Sequence, residues 1–516
     1  MFFTICCNKF NYNYFINTSI VIIFYLIPRN KKNNSKYFWS HAQYLGRIAD
    51  TLVEAGHEVH FVKFIMSSFL KDKNETTKVH KVYIIEKSLE NDELLDFKHS
   101  SMVADSFNKK RPVLSIFDHL MTQFGPMAAM SCKDLIQKLI NEHFDVGIAE
   151  MYEFCGVALF HKIGVKTKIS AYAISLFQSV SRLYDIPNFP SFMSNFMSPR
   201  KDLEFSFFSR LINFYNEFYD WIWMDNQAYR FQDPIIREEF GADFPNLRKL
   251  IKNVSLIFIN SNPFFETPRP ISNKVIYIGG LADEQMSKNT KILDHKTQRI
   301  LDEAVNGAIL FSFGSLADTT NAILGAFKHF PQIQFIWKLD NETSKNISKL
   351  LQSIPNVHTF EWIRQTAILA HPNLKAFITH CGQNSLNEAA RAGIPVIGVP
   401  LFADQFYNSD FAEKRRMGLQ IDIIEFSGVN AENILIEAIE RILKDPSFSQ
   451  TAKIISKKLK STPFKPTESL IKWVEFAAEF DDLTELNLPG EMEMSWFVYY
   501  SVDVKMSKIE KKKKRN

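Results

Sequence analysis

Cysteine is scarce in this chain: five in 516 residues, with no C-x-x-C pair. That excludes a disulfide scaffold and the common structural zinc sites, which need clustered thiols. No aspartate is followed two positions later by another, so the D-x-D clamp for a metal and a diphosphate is missing. Walker-A and G-x-G-x-x-G patterns are also missing, against nucleotide hydrolysis and nicotinamide binding. His57-Glu58-Val59-His60 lacks H-E-x-x-H spacing and reads as a turn entering a strand. Excess charge is small as well. A net +4 gives no strong field for nucleic acid or an anionic membrane surface. Hydrophobic residues at 46% and charged residues at 23% exclude a largely disordered chain.

Long apolar runs are lacking too. The best is Ser19–Ile27 (SIVIIFYLI), which suits either a secretory h-region or the first buried strand of an α/β domain. Only Lys9 precedes it, and the basic run Arg29, Lys31 and Lys32 follows, so the strand reading is preferred. Near the other end, Trp496–Tyr500 is closed off by Asp503 and Lys505, far short of a membrane-crossing helix. The terminal KIEKKKKRN is either a solvated basic tail or a dilysine retrieval signal, with Lys513 and Lys514 at the matching spacing. Sequons at Asn17, Asn33, Asn74, Asn253, Asn341 and Asn346 give weak support for a lumenal location.

What the chain has in quantity is phenylalanine, 47 residues of it, enough for a large core or an apolar pocket. Its length calls for two or three domains. From Ser19 to Phe177 strands alternate with helical segments, the pattern of a parallel sheet. Ile186–Phe231 changes texture to proline, serine and aromatics and reads as helices lining something apolar. From Val254 the alternation restarts, with strands at Ser255–Ile259, Lys274–Ile278, Ala308–Phe313, Gln334–Lys338, Ala376–Thr379 and Val396–Val399. The fold class expected is α/β, with two facing Rossmann-like domains, parallel sheets and a cleft between them. The divisions expected are 1–18 as a leader or disordered start and 19–253 as an acceptor-binding N-terminal domain. A nucleotide-sugar-binding domain over 254–465, a helix at 466–482 packing back and a basic tail at 483–516 complete them. Pro263–Pro270 is the linker candidate.

Chemistry concentrates in Trp362–Gln405, WIRQTAILAHPNLKAFITHCGQNSLNEAARAGIPVIGVPLFADQ. A strand ending at Thr379 runs through the turn HCGQN into a helix beginning near Ser385. A helix start after such a turn is a ready anion site, because free N–H groups and the helix dipole point the same way. Ser385-x-x-Glu388 also fits a capping box, which would explain both residues by helix stability alone. Taken as a whole, the segment resembles the signature of the UDP-glycosyltransferase family, the GT-B enzymes that include the UDP-glucuronosyltransferases.

The resemblance implies that Trp362 stacks on the uracil and that Gln365 lies beside base and ribose. His380, Gly382, Asn384 and Ser385 would surround the diphosphate, Glu388 would accept from the ribose hydroxyls, and Asp404 and Gln405 would hold the transferred sugar. The roles suit the side chains: an indole face for a base, donors for phosphate, a carboxylate for a diol. Phe311-Ser312-Phe313-Gly314-Ser315 is similar to the family's phosphate-side loop, which puts Ser315 near the β-phosphate. NSNPFFETPRP resembles the interdomain linker, with Arg269 facing the phosphates. After Ser315 only LADTT precedes the helix expected near Asn321, a shorter stretch than in relatives.

SHAQYLGRIADTLVEAGHEVHFV resembles the family's acceptor-domain start. Ser40-x-x-Gln43 reads as a capping box, and Leu45, Ile48, Ala49, Leu52 and Val53 form one apolar face. His41 thus falls in the first turn of a helix, where a histidine is either simply exposed or, as the resemblance implies, the general base for an acceptor hydroxyl. Its orienting carboxylate would be Glu150, after the strand FDVGIA, where vertebrate members carry aspartate. A basic, asparagine-rich stretch, PRNKKNNSKYFW, precedes His41 in place of a short loop.

The function so implied is an inverting, metal-independent transferase moving glucuronate or glucose from a UDP-sugar donor to hydroxyl or carboxyl groups of small lipophilic acceptors. No cofactor beyond the donor, no metal and no nucleic acid are expected. By resemblance the place is the endoplasmic reticulum and the role detoxification; membrane association and oligomeric state stay open. LYDIPNFPSFMSNFMSP and the linker wording look most like nematode members. The alternative is a non-catalytic paralogue that binds UDP-sugar or a lipophile, for which the stretch before His41 speaks.

Overall fold

The computed structural model describes residues 18–26, 39–65, 78–86, 133–151, 154–193, 206–281, 293–312, 319–339, 341–401, 404–490, 494–499 and 501–504. Two parallel sheets dominate it. The first contains β1 (Ser19–Leu26), β2 (Glu58–Ile65), β3 (Lys81–Glu86), β4 (Val146–Ala149), β5 (Thr167–Tyr172), β6 (Leu256–Ile259) and β7 (Val275–Tyr277). Its order is β3-β2-β1-β4-β5-β6-β7. The second, in the order β10-β9-β8-β11-β12-β13, contains β8 (Ala308–Ser312), β9 (Gln334–Lys338) and β10 (Val357–Phe360) on one side. Its other side holds β11 (Leu374–Thr379), β12 (Val396–Gly398) and β13 (Gly418–Gln420). Each sheet starts at its centre, runs outward on one side, then crosses back and runs outward on the other. That is the doubly wound Rossmann arrangement, and it leaves a crevice at the carboxyl ends of the two central strands.

The strand reading of the apolar run holds. β1 pairs in parallel with β2 from Ser19 to Leu26 and with β4 on its other side. Over Ile20–Ile22, where β1 is flanked on both sides, successive side chains are fully buried, so this stretch does not alternate. The helix Trp39–Glu54 covers this sheet with Leu45, Ile48, Ala49 and Leu52, all fully buried. Burial of each leucine or isoleucine is worth about 1.5–3 kcal/mol. Ser40 is the second residue of this helix.

Two expectations change. Val254 does not open the second sheet: β6 pairs with β5, and β7 with β6, so the chain passes to the second sheet only after Tyr277. Pro263–Pro270 therefore connects two strands of one sheet, with a single 3-10 turn at Pro263–Phe265. Strand periodicity cannot tell which of two similar sheets a strand will join, since that choice rests on distant partners. In Ile186–Phe231 the helical reading holds, because Phe207–Phe240 is one long helix capped by Ser206, whose side chain accepts from the Ser209 N–H. Its first turns do not line an interior, however. Phe207, Phe208, Phe214 and Tyr215 are exposed.

The helix Pro466–Phe480 packs back on the first sheet, where Leu470, Val474 and Ala477 are fully buried with Ile20, Leu256 and Phe258. No helix among the described residues is long and apolar enough to cross a membrane. The leader as far as residue 17, the stretch 27–38 before the first helix, the dilysine tail KIEKKKKRN and the sequons Asn17, Asn33 and Asn74 lie outside the described residues.

Candidate active site

His41 and Glu150 stand at the carboxyl ends of the two central strands of the first sheet, His41 on the helix after β1 and Glu150 directly after β4. Strand pairing at the crevice thus brings together residues 109 positions apart. His41 Nδ1 lies 3.0 Å from Glu150 Oε1 and 2.9 Å from Oε2. Glu150 Oε1 also accepts the Ala173 N–H at 2.7 Å, which anchors the carboxylate to the end of β5. The extra methylene of glutamate therefore does not prevent the contact. Burial alone would lower the His41 pKa, but the charge and hydrogen bond of Glu150, with help from Asp404, raise it overall. With Nδ1 engaged by the carboxylate, the imidazole proton belongs on that nitrogen and Nε2 is left as a base. The His41 side chain is 16% exposed against 6% for Glu150, so a substrate can reach the base but hardly its partner.

The same construction repeats in the second sheet. β8 and β11 are its central strands, and Ser312 and Thr379 pair at their carboxyl ends. His380 follows Thr379 and forms a hydrogen bond with the Ser312 main chain. Burial and nearby Lys338 hold its pKa down at about 4, so near neutral pH it is an uncharged imidazole. Cys381 takes a left-handed φ of 59°, turning the chain sharply into the helix Gln383–Ala392. A Cβ on Gly382 would stand 2.8 Å from His380 Nε2, so glycine is what leaves the ring its place. At its far end Gly393, with φ 79°, closes the helix in the left-handed form.

The helix starts two residues before Ser385, with Gly382 at its N-cap and no side-chain cap bond. The capping-box explanation of Ser385 and Glu388 therefore fails. Both instead meet Gln365, whose amide donates to Glu388 Oε2 at 2.8 Å and to Ser385 Oγ at 3.2 Å. Trp362 is 66% exposed, with Lys338 Nζ 4.9 Å from its ring centre. Exposure of an indole at the mouth of a crevice suits stacking on a flat ring.

Asp404 begins the helix Asp404–Lys414 and sits between the two halves of the crevice. It accepts from Asn408 Nδ2 at 2.9 Å and from the Gln383 main chain, and His41 is close enough to pull its pKa down. Burial outweighs these effects and lifts its carboxyl to about 6. Gln405 is buried and accepts the Leu401 N–H at 2.9 Å. Arg269 lies within electrostatic reach of Tyr277 and Tyr407, and its buried Nε and Nη1 have no hydrogen-bond partner among the described residues. Ser315 lies outside the described residues.

Asn384 points toward the first sheet rather than along its own crevice, donating to the Ser40 carbonyl at 3.3 Å and accepting from Asn260 at 2.8 Å. Asn260, Asn387, Ser175 and Lys338 are site neighbours that the sequence reading missed. The signal for Asn260 and Lys338 was positional, since each stands at the carboxyl end of a strand facing the crevice. Among the described residues, no group of three or more His, Cys, Asp or Glu side chains could hold a metal ion.

Comparisons with known proteins bear on the family and the fold. Residues 36–509 match the family model described as UDP-glucoronosyl and UDP-glucosyl transferase. A putative UDP-glucuronosyltransferase of Caenorhabditis elegans, ugt-48, is 31% identical over 90% of this chain and 88% of its own length. Human UDP-glucuronosyltransferase 3A2 is 27% identical over 90% of this chain and 87% of its own. Among solved structures, glycosyltransferase VinC in complex with DTDP superposes with a TM-score of 0.57 at 14% identity, covering 90% of this chain and all of that one. The glycotransferase of kitacinnamycin gives 0.58, also at 14% identity, over 90% of this chain and 99% of its own. These likenesses carry the GT-B fold.

Proposed function

The chain belongs to the UDP-glucuronosyl and UDP-glucosyl transferase family, and from that premise we propose that it transfers a sugar from UDP to a small lipophilic acceptor with inversion and without a metal. The observation that carries this reading is the His41–Glu150 pair standing within electrostatic reach of Asp404 across the crevice.

In this reading Trp362 stacks on the uracil, Glu388 takes the ribose hydroxyls with Gln365 orienting it, and the start of the helix Gln383–Ala392 receives the diphosphate. Asp404 and Gln405 hold the sugar. His41 Nε2 removes the acceptor proton as the oxygen attacks the anomeric carbon from the face opposite UDP, so the new bond is inverted. Glu150 stabilises the imidazolium that forms. The leaving phosphate gains negative charge, which the helix end meets with hydrogen bonds and Lys338 with its charge. The aromatic richness of the N-terminal half supports a lipophilic acceptor, and the family's habit supports the endoplasmic reticulum.

The test is a radiolabelled-donor assay of the purified protein on a panel of phenols, comparing UDP-glucuronate with UDP-glucose. Transfer to at least one phenol is expected. A protein that bound either donor and never transferred its sugar would be a binding paralogue instead.

A further inference from the structure

A closed ring of hydrogen bonds joins the base to the donor helix. From His41 it runs to Glu150, whose Oε1 accepts the Ala173 N–H. The Ala173 carbonyl accepts from Asn260 Nδ2 at 2.8 Å, and the same amide donates to Asn384 Oδ1 at 2.8 Å. Asn384 Nδ2 then donates to the carbonyl of Ser40, the residue before His41. A side branch adds rigidity. Asn387 Nδ2 donates to the Asn260 carbonyl at 3.0 Å, Gln383 Nε2 to Asn387 Oδ1 at 3.0 Å, and the Ser175 hydroxyl to Gln383 Oε1 at 3.0 Å.

Asn260 is the junction. It is only 4% exposed and follows β6 directly, with its N–H fixed on the Tyr172 carbonyl at 3.0 Å. Both protons of its side-chain amide are used, one toward the strand end that holds Glu150 and one toward the helix of the second sheet. Flipping the amide would set its oxygen against two acceptors, so its orientation is determined by its partners. Apolar contact also joins the halves, as where Ile174 and Phe177 meet Tyr407, but hydrogen bonds impose a narrower geometry than apolar contact.

We infer that Asn260 is a positioning residue for the transfer reaction: it holds the donor helix in register with the His41–Glu150 pair, so that base and anomeric carbon meet at reacting distance. This rests on the transferase reading above. Asn260 touches neither donor nor acceptor in that reading, so its effect must pass through His41.

The experiment is a double-mutant cycle in the full chain. Asn260→Ala removes both donors, and the near-isosteric Asn260→Asp sets oxygen against oxygen at both. With a phenol acceptor, kcat per folded molecule should fall roughly 10²-fold, the scale of a misplacement near 1 Å. Donor affinity measured by calorimetry should stay close to that of the parent. In the His41→Ala background the same change should cost little more, and with a carboxylate acceptor, which needs no base, the loss should shrink. If Asn260→Ala does not fold, Asn260→Ser enters the same cycle. An equal loss with and without His41, or unchanged turnover in both Asn260 variants, overturns the inference while leaving the transferase reading intact. A parent protein that transfers nothing overturns the transferase reading, and this inference with it.

Discussion

Gln365 donates its amide to Glu388 Oε2 at 2.8 Å, from the short helix Gln365–Leu369 to the middle of the helix Gln383–Ala392. The carboxylate is thereby aimed by a neighbouring helix, and it plays no part in capping its own. Glu388→Ala should weaken UDP-sugar binding by about 1.5–3 kcal/mol, the worth of hydrogen bonds to a charged group. A capping role would instead lower the melting temperature and leave affinity unchanged. Titration calorimetry on the folded variant, read beside its melting curve, separates the two.

Trp362 offers a cleaner case because it is 66% exposed and contributes little to the core. Trp362→Ala should cost donor affinity about 1–3 kcal/mol, the usual range for a base stacked on an aromatic side chain. The melting temperature should scarcely move. A variant that kept full affinity for UDP would remove the indole from the site.

His41→Ala should lower kcat with a phenol by roughly 10²–10⁴-fold and leave donor affinity nearly intact, since a general base acts only in the transition state. Acceptors that are already ionised should lose less. Wild-type rates on alcohols would exclude His41 as the base.

The acid limb of the pH profile should reflect two groups. The His41 pKa is raised, because the Glu150 and Asp404 charges outweigh burial, and the base works only when neutral. Asp404 is the stronger acceptor of sugar hydroxyls once ionised, above about 6. Both effects switch activity off as pH falls, so log kcat/KM should drop with a slope approaching two below that range. Asp404→Asn should bring the slope to one and, by removing a negative charge near His41, move the remaining limb to lower pH. Glu150→Gln should also move it lower while reducing the plateau rate. A single-proton limb in the parent, or a limb that moves upward in either variant, would contradict this electrostatic account.

Under the proposed mechanism the 380–385 turn and Lys338 meet the charge on the leaving phosphate, so transfer should survive EDTA. Loss of turnover on chelation, restored by manganese, would replace that mechanism.

Sequence alone determined a good deal here. The apolar run at Ser19–Leu26 read better as a buried strand than as a secretory h-region, and Trp362–Gln405 carried enough ordered chemistry to point to the family. These are local matters: side-chain type, period and spacing within one element. What only the tertiary structure decided involves choices between distant partners. Two Rossmann-like sheets present nearly identical strand patterns, so nothing local assigns Leu256–Ile259 and Val275–Tyr277 to the first rather than the second. The Ser385-x-x-Glu388 pattern fits a cap equally well until the turn at Cys381 starts the helix early and turns both side chains to Gln365. Asn260 carries no signal beyond its place at the end of a strand. It matters because a strand end of the first sheet faces a helix of the second, and an amide with two protons is what can satisfy an acceptor on each.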